Sequence, residues 1–319
     1  MRAACGFVLT ALAAGTFFVA DRSPARASEN LSVCLEANSA PYSFKHGKEI
    51  GGFDLAVAQA IAKRLDRTLM IQWFEVSAQP DGDKPSPNNA KDALLSDGKC
   101  QLVAGYPLTT DGFIRQVEWS KFPDFDGAKP EDRRRRVTLQ EMAPTEAYQF
   151  LPMTVVLGPK VADLKIHSLN DLKGVKLGGE SSTLPNAILT MYTGHELSGQ
   201  VEHITPGVSL ERGGGLLERL ERGDYDATLI ELHRFDAYRK EHPDTKLKLS
   251  GYYHSVGFSM GFAALKSETA LIDAVNHAID EMKAKNEFAA LAGAEGMTYI
   301  APHDPEMRGP VGFGELSHD

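Results

Sequence analysis

The chain has 319 residues, 42% of them hydrophobic, with 34 Lys and Arg against 43 Asp and Glu and a formal charge of −9. That length and apolar content can build one large domain or two medium ones. The acidic balance argues against nucleic acid, which needs a basic face to displace counterions from phosphates.

The opening residues are expected to be an export signal. Met1-Arg2 is basic, the stretch to Ala20 is mostly apolar, and a polar break leads to Ala25-Arg26-Ala27. Basic start, apolar centre and A-x-A end are the parts of a secretory signal peptide, so residues 1–27 read as a leader cleaved after Ala27 and the protein as periplasmic. A membrane anchor is the alternative, since about 18 residues is near the lower limit for a span. Gly6, Thr10, Gly15 and Thr16 weaken it, and Cys5 lies too early for a lipoprotein cleavage site. Cleavage would remove three arginines and one aspartate, moving the charge from −9 to −11.

In chain order, Leu31–Leu35 reads as a short buried strand and Asp54–Leu65 carries apolar residues at helical spacing. A strand at Leu69–Phe74 follows, then a breaker-rich surface loop over Gln79–Asn89. Ala90–Ser96 reads as a helix and Leu102–Ala104 as a third strand. Alternating strands and helices point to a parallel sheet with right-handed crossovers. Ser120–Ala147 is polar and proline-bearing, a surface excursion. Its run Arg133–Arg136 sits beside Glu131-Asp132 and reads as a solvated loop.

A second α/β pattern follows. The apolar run Met153–Leu157 leads into a helix-like stretch, VADLKIHSLNDLKG. Strands are expected at Val175–Leu177, Val201–Ile204 and Ala227–Ile230, with helices at Leu184–Tyr192 and Leu210–Arg222. Gly213-Gly214-Gly215 lacks the Lys-Ser/Thr of a phosphate loop and reads as a flexible helix start. An apolar strand at Phe258–Ala264, an amphipathic helix at Glu268–Lys285 and a polar Gly/Pro-rich tail end the chain.

The leftover strand and helix are best placed back in the first lobe. Lobe one then comprises 28–150 plus 260–319, lobe two 151–259, with two hinge crossings near Tyr148–Pro152 and His254–Gly261. Each lobe is an α/β unit with a mixed sheet flanked by helices. Ligands of such sheets bind outside the carboxyl ends of the strands, and two facing sheets make a cleft that closes by hinge motion.

Outside the leader, Cys34 and Cys100 form an even pair in an exported chain, which suggests a disulfide in an oxidising compartment. Against it, parallel neighbouring strands would leave the two on the order of 10 Å apart at about 3.3 Å per residue, beyond the roughly 7 Å limit. Only a shifted register would permit the bond. The ten histidines are scattered and no C-x-x-C or H-E-x-x-H occurs, so no metal is expected.

These segments together resemble the family-3 periplasmic solute-binding proteins, with the two-lobed type II fold. APYSF followed by GGFDLAVAQAIAKRL looks like their opening signature. GYPLTT, VEWS, SLNDLKGVKLG and GDYDATLIE follow in family order. A narrower resemblance lies in Cys34-Leu-Glu-Ala-Asn38-Ser-Ala-Pro41-Tyr42-Ser43 and Gly98-Lys-Cys100-Gln-Leu-Val-Ala-Gly105-Tyr-Pro107. Those are similar to patterns of a subgroup associated with quinoprotein dehydrogenases, including accessory proteins of methanol oxidation. Gln101, GGFD and two insertions depart from that subgroup.

The resemblance implies a ligand-binding set. Family members that bind amino acids set an arginine against the ligand carboxylate, where a bidentate guanidinium fits. The aligned position here is Gly112, and Arg115 substitutes only if the turn is displaced. Ser39 stands where an aromatic normally stacks, and Tyr42, after the proline turn, serves either the ligand or the packing. Tyr106 and Thr109 belong to the GYPLTT turn. Glu36 and Glu231 fall at the family's acidic positions in the two lobes, and together favour a cation or amine. Ser181, Ser182 and Thr183 precede a helix, where hydroxyls and amides can hold an anion or simply cap it.

Two functions therefore compete. One is a receptor that passes a small polar solute to the membrane subunits of an ABC importer. The other is an accessory protein that binds a periplasmic quinoprotein dehydrogenase or its cytochrome c, which predicts an exposed apolar patch. An enzyme would need a carboxylate of raised pKa; Glu36 or Glu231 could serve, but no partner group is evident in the sequence. The expected protein is thus a monomer without cofactor or catalytic residues.

Overall fold

The computed structural model describes Met1 and residues 29–76, 86–114, 117–205 and 215–319. The expected leader, Arg115, most of the proline loop and the first two residues of the triple glycine fall outside them.

The first strand, β1 (Asn30–Glu36), is buried on both faces. Leu31, Val33 and Leu35 enter one apolar cluster while Cys34 enters another on the opposite side. Such two-sided burial is what a central parallel strand requires. A small sheet of β2 (Asn38–Ser39), β3 (Ser43–His46) and β4 (Glu49–Gly51) leads to helix α1 (Phe53–Arg64). Its Phe53, Val57, Ala58 and Ile61 recur at helical spacing and fill the first cluster. Next come β5 (Thr68–Glu75), α2 (Pro87–Ser96) and β6 (Leu102–Pro107). Both β5 and β6 run parallel to β1. The helix α2 starts three residues earlier than expected because Ser86 accepts from Asn89 N at 3.4 Å as its cap.

The excursion is not purely surface. It forms β7 (Trp119–Lys121), β8 (Asp124–Phe125), β9 (Arg136–Thr138) and β10 (Met142–Pro144). Phe122, Val137, Leu139 and Met142 are buried against α2 and the disulfide. These four apolar residues are spread through a polar sequence, so no periodic signal exposed them.

Strand β11 (Gln149–Leu157) then leads to β12 (Leu177–Glu180), α3 (Leu184–Met191), β13 (Val201–Ile204), α4 (Leu216–Arg222) and β14 (Ala227–Glu231). Helix α5 (Leu232–Glu241) follows at once, then the long strand β15 (Lys248–Leu265) and helices α6 (Thr269–Ala284), α7 (Glu287–Ala294) and α8 (Phe313–Leu316). The expected helix over 161–174 is two short turns instead, Pro159–Val161 and Leu169–Leu172. Asp171 accepts from His167 N at 2.8 Å and Ser168 N at 3.1 Å, restarting the backbone at Ser168. Gly174 then stops it in the left-handed region, at φ +81°. Ile166, Leu169 and Leu172 still reach the core.

The strands join in the order β13-β12-β14-β11-β15-β6-β1-β5-β8, with β10 also on β15. Two parallel triplets, β13-β12-β14 and β6-β1-β5, are thus linked through the antiparallel pair β11 and β15. The pairing of that linker shifts register between Pro152 and Thr154 and again before Val156. Each triplet has its own apolar clusters, one built on α1, α6 and α7, the other on α3 and the 166–172 turns. The molecule is therefore a two-lobed α/β structure bridged by two long strands. Near the end of the chain, Val311 and Leu316 pack on the second cluster.

Cys34 and Cys100 are bonded, with Cα atoms 5.6 Å apart. The register is the unfavourable one, Cys34 lying opposite Val103. The objection fails because Cys100 precedes β6 and sits in the turn over 97–101, where extended spacing does not apply.

Candidate functional site

The carboxyl ends of β1, β12 and β14 carry Glu36, Glu180 and Glu231. On the first-lobe side, Lys91 Nζ lies 3.9 Å from Glu36 and donates to Gly105 O at 3.3 Å. Behind them Asp54, buried at the start of α1, accepts from the Tyr148 hydroxyl at 2.8 Å. That hydroxyl in turn accepts from Gly105 N at 2.8 Å. A side chain at Gly105 would stand 2.8 Å from Asp54 Oδ2, on a backbone at φ +60°. Burial pushes the Asp54 carboxyl up to about 7, against the opposing pull of Tyr148 and Lys91. Burial also raises Glu36, opposed by Lys91.

On the second-lobe side, the first turn of α5 places Arg234 2.7 Å from Glu180 and 3.6 Å from Glu231. His233 beside it is held down to about 4 by burial and by the Arg234 charge, so its ring is neutral at pH 7. The lobes meet where the Tyr42 and His233 rings approach to 5.0 Å. Tyr42 is only 8% exposed. Among the described residues its hydroxyl, His233 Nδ1 and Glu231 Oε2 have no hydrogen-bond partner. Burial, and then the charges of Asp54, Asp236 and Glu231, drive Tyr42 ionisation well above its usual range. Three carboxylates thus act on one phenol that nothing satisfies. Such an arrangement suits a hydrogen-bonding cation and disfavours an anion.

The same face of α5 holds the lobes together. Asp236 accepts from Thr298 N at 2.7 Å and Thr298 Oγ1 at 3.0 Å, and Arg239 pairs with it at 3.0 Å.

The other expected residues are spread more widely. Ser39 accepts Tyr42 N through its carbonyl at 2.8 Å, beside the cleft. Tyr106 is fully buried and donates towards Asp92 at 3.0 Å and Gly112 O at 3.2 Å, in the core under α2. Thr109 accepts Gly112 N at 3.2 Å, closing its own turn. Ser181 N donates to Ile204 O at 2.8 Å, and Ser182 stands at φ +64°. Thr183 caps α3, accepting Asn186 N at 3.3 Å and donating to Glu180 O at 2.7 Å. Glu36, Tyr42 and Glu231 are the ones that converge with Lys91, Asp54 and His233.

Sequence reading missed Lys91, Asp54, Tyr148, His233 and Arg234. Asp54 did leave a trace, as an acid amid the apolar start of a helix in GGFDLAV. A cavity of 240 Å³ opens elsewhere, between α2 and the 111–114 turn, where Asp92 is already engaged by Tyr106. Among the described residues no set of three His, Cys, Asp or Glu could hold a metal ion, and no helix is long and apolar enough to cross a membrane.

No protein-family model matches this sequence, and no curated protein matches it. Solved structures do. The unliganded, open L-cystine solute receptor of Neisseria gonorrhoeae is similar over 86% of this chain and 96% of its own, with TM-score 0.60 and 18% identity. The open substrate-binding domain 2 of GlnP from Lactococcus lactis matches over 84% and 95%, with TM-score 0.57 and 17% identity. An ancestral cationic amino acid solute-binding protein matches over 82% and 93%, with TM-score 0.54 and 19% identity. The chain therefore has the two-lobed fold of periplasmic binding proteins.

Proposed function

We propose that this is an exported, monomeric solute-binding protein that encloses a small polar solute bearing a positive charge and presents it to the membrane subunits of an ABC importer. The observation that carries the reading is the buried, unsatisfied Tyr42 hydroxyl between the lobes, acted on by Glu231, Asp54 and Asp236. A charged amine would satisfy Tyr42 and Glu231 together. Glu36 would complete the acidic wall from the other side, while Ser39 lies near the opening. The fold-level neighbours bear the names of solute receptors and substrate-binding domains, which supports capture rather than chemistry. No bound cofactor and no catalytic step enter this reading.

Thermal-shift screening against amines, amino acids, organic acids and sugars tests it. A ligand at about 100 times its Kd should add roughly 2.7 kcal/mol to the folded state. Stabilisation by members of the amine set is expected, and no shift with any solute would overturn the reading.

We set beside it a second reading, an accessory protein of a quinoprotein dehydrogenase. The disulfide ties together the two cysteine motifs that resemble the dehydrogenase-associated subgroup. Ile114, Val117 and Trp119 are 65%, 40% and 44% exposed, and the Arg136 guanidinium lies 3.9 Å over the Trp119 ring. Co-elution with a PQQ-dependent dehydrogenase or its cytochrome c, lost on Trp119→Asp, would favour it over transport.

A further inference from the structure

Besides β11 and β15, residues 299–319 form a third passage between the lobes. On the first-lobe side Ile300 O accepts Phe150 N at 2.9 Å. Glu306 accepts from Ala147 N at 2.8 Å and Lys283 Nζ at 2.9 Å. Arg308 is fixed through its backbone, donating to Leu108 O at 3.2 Å and accepting Thr110 N at 2.9 Å. Its guanidinium donates to Gly257 O of the hinge strand at 2.9 Å and also pairs with Glu315.

Beyond Glu315, Ser317 and His318 also bond back to Gly314, and the ties that leave the segment among the described residues go to the second lobe. Ser317 O accepts Thr193 N at 2.9 Å, and His318 O lies 3.0 Å from His254 Nε2. The Asp319 carboxylate accepts three hydrogen bonds, from Leu169 N at 2.8 Å and from the Tyr192 and Tyr252 hydroxyls at 2.7 Å each.

We propose that this segment is a hinge latch: it holds the lobes in their apposed setting, and opening requires the Arg308–Glu315 pair to release. Hinge rotation carries Arg308 with the first lobe and Asp319 with the second. Between them, Val311 and Leu316 already pack on the second lobe's apolar cluster, so Glu315 moves with that lobe. Arg308 reaches Glu315 from the first lobe, and the other Glu315 oxygen accepts Gly312 N at 2.8 Å. The pair is therefore a direct tie between the lobes that opening must break. This holds whether or not the cleft takes a solute.

Interlobe distances measured by double electron–electron resonance, with labels at exposed Asp163 and His277, test the latch in the full chain. Glu315→Gln is expected to raise the wide-distance fraction up to about fivefold, the limit for a half-exposed ion pair. Adding Asp319→Ala should raise it further and speed hydrogen exchange at Leu169 and Thr193. Exchange that speeds while the distances stay unchanged would overturn the proposal, since the segment would be free and the lobes still apposed. If the double variant does not fold, unchanged distances in Glu315→Gln alone would overturn it equally.

Discussion

The Tyr148 hydroxyl donates to Asp54 across 2.8 Å in the first lobe, while Lys91 holds Gly105 O above the same carboxylate. The nearest charged groups facing Asp54 are Lys91, which favours its anion, and Glu36, which opposes it. Burial outweighs both attractive contacts and leaves the carboxyl near 7, against an ordinary 3.8. A raised folded-state value means a contribution present in full below pH 4 and lost as pH rises through 7. The loss has an upper limit on the order of 4 kcal/mol. Denaturant unfolding from pH 4 to 8 should therefore show stability falling with pH, and Asp54→Asn should flatten that slope. Equal slopes in both proteins would contradict the assignment.

His233 carries the opposite sign. Its folded-state value is lowered to about 4, so its contribution is present above 6.5 and is lost as pH falls through 4. The imidazole resonances of His233 should titrate near 4, with the Tyr42 ring signals moving in step. A midpoint near 6.5 would show that the ring is not enclosed by Tyr42 and Arg234.

The disulfide closes a span of 66 residues within one lobe. In the chain-entropy model its loss costs about 4 kcal/mol. Cys34→Ala with Cys100→Ala should lower the unfolding midpoint by that order while leaving the α/β circular dichroism intact. An unchanged midpoint would mean that the neighbouring Phe122 and Leu94 packing alone fixes the 97–101 turn.

Gly257 lies where β15 crosses between the lobes. A methyl group there would meet the Phe150 ring at 2.3 Å and Leu151 O at 2.7 Å. Gly257→Ala should destabilise by about 1–3 kcal/mol, as overpacking does. Full stability in guanidinium would imply that the hinge strands shift freely against each other.

Local periodicity was enough for the elements that are apolar on their own. Val201–Ile204 appears with the expected bounds, and α1 differs by a residue at each end. What stayed hidden depends on partners distant in sequence. Helix α5 has Leu232, Phe235 and Tyr238 buried among charged residues, too diluted for an amphipathic signal. Strand β15 runs 18 residues because β11, then β6 and β10, pair with successive parts of it. The disulfide depended on a turn that pattern reading treated as strand. Of the residues proposed for the site, Glu36 and Glu231 end strands and Tyr42 stands in a turn, positions that local pattern can reach. Lys91 and His233 were not legible, since a lysine in PNNAKDALL reads as surface until Glu36 is seen 3.9 Å away.

Titration calorimetry with the best amine from the thermal screen, on the native protein and on Glu231→Gln, probes the cleft most directly. One-to-one binding should weaken at least tenfold in the variant, while the unliganded unfolding midpoint moves little. Equal affinity in both proteins, or tighter binding of anions than of amines, would show that Tyr42 and Glu231 do not receive a cation.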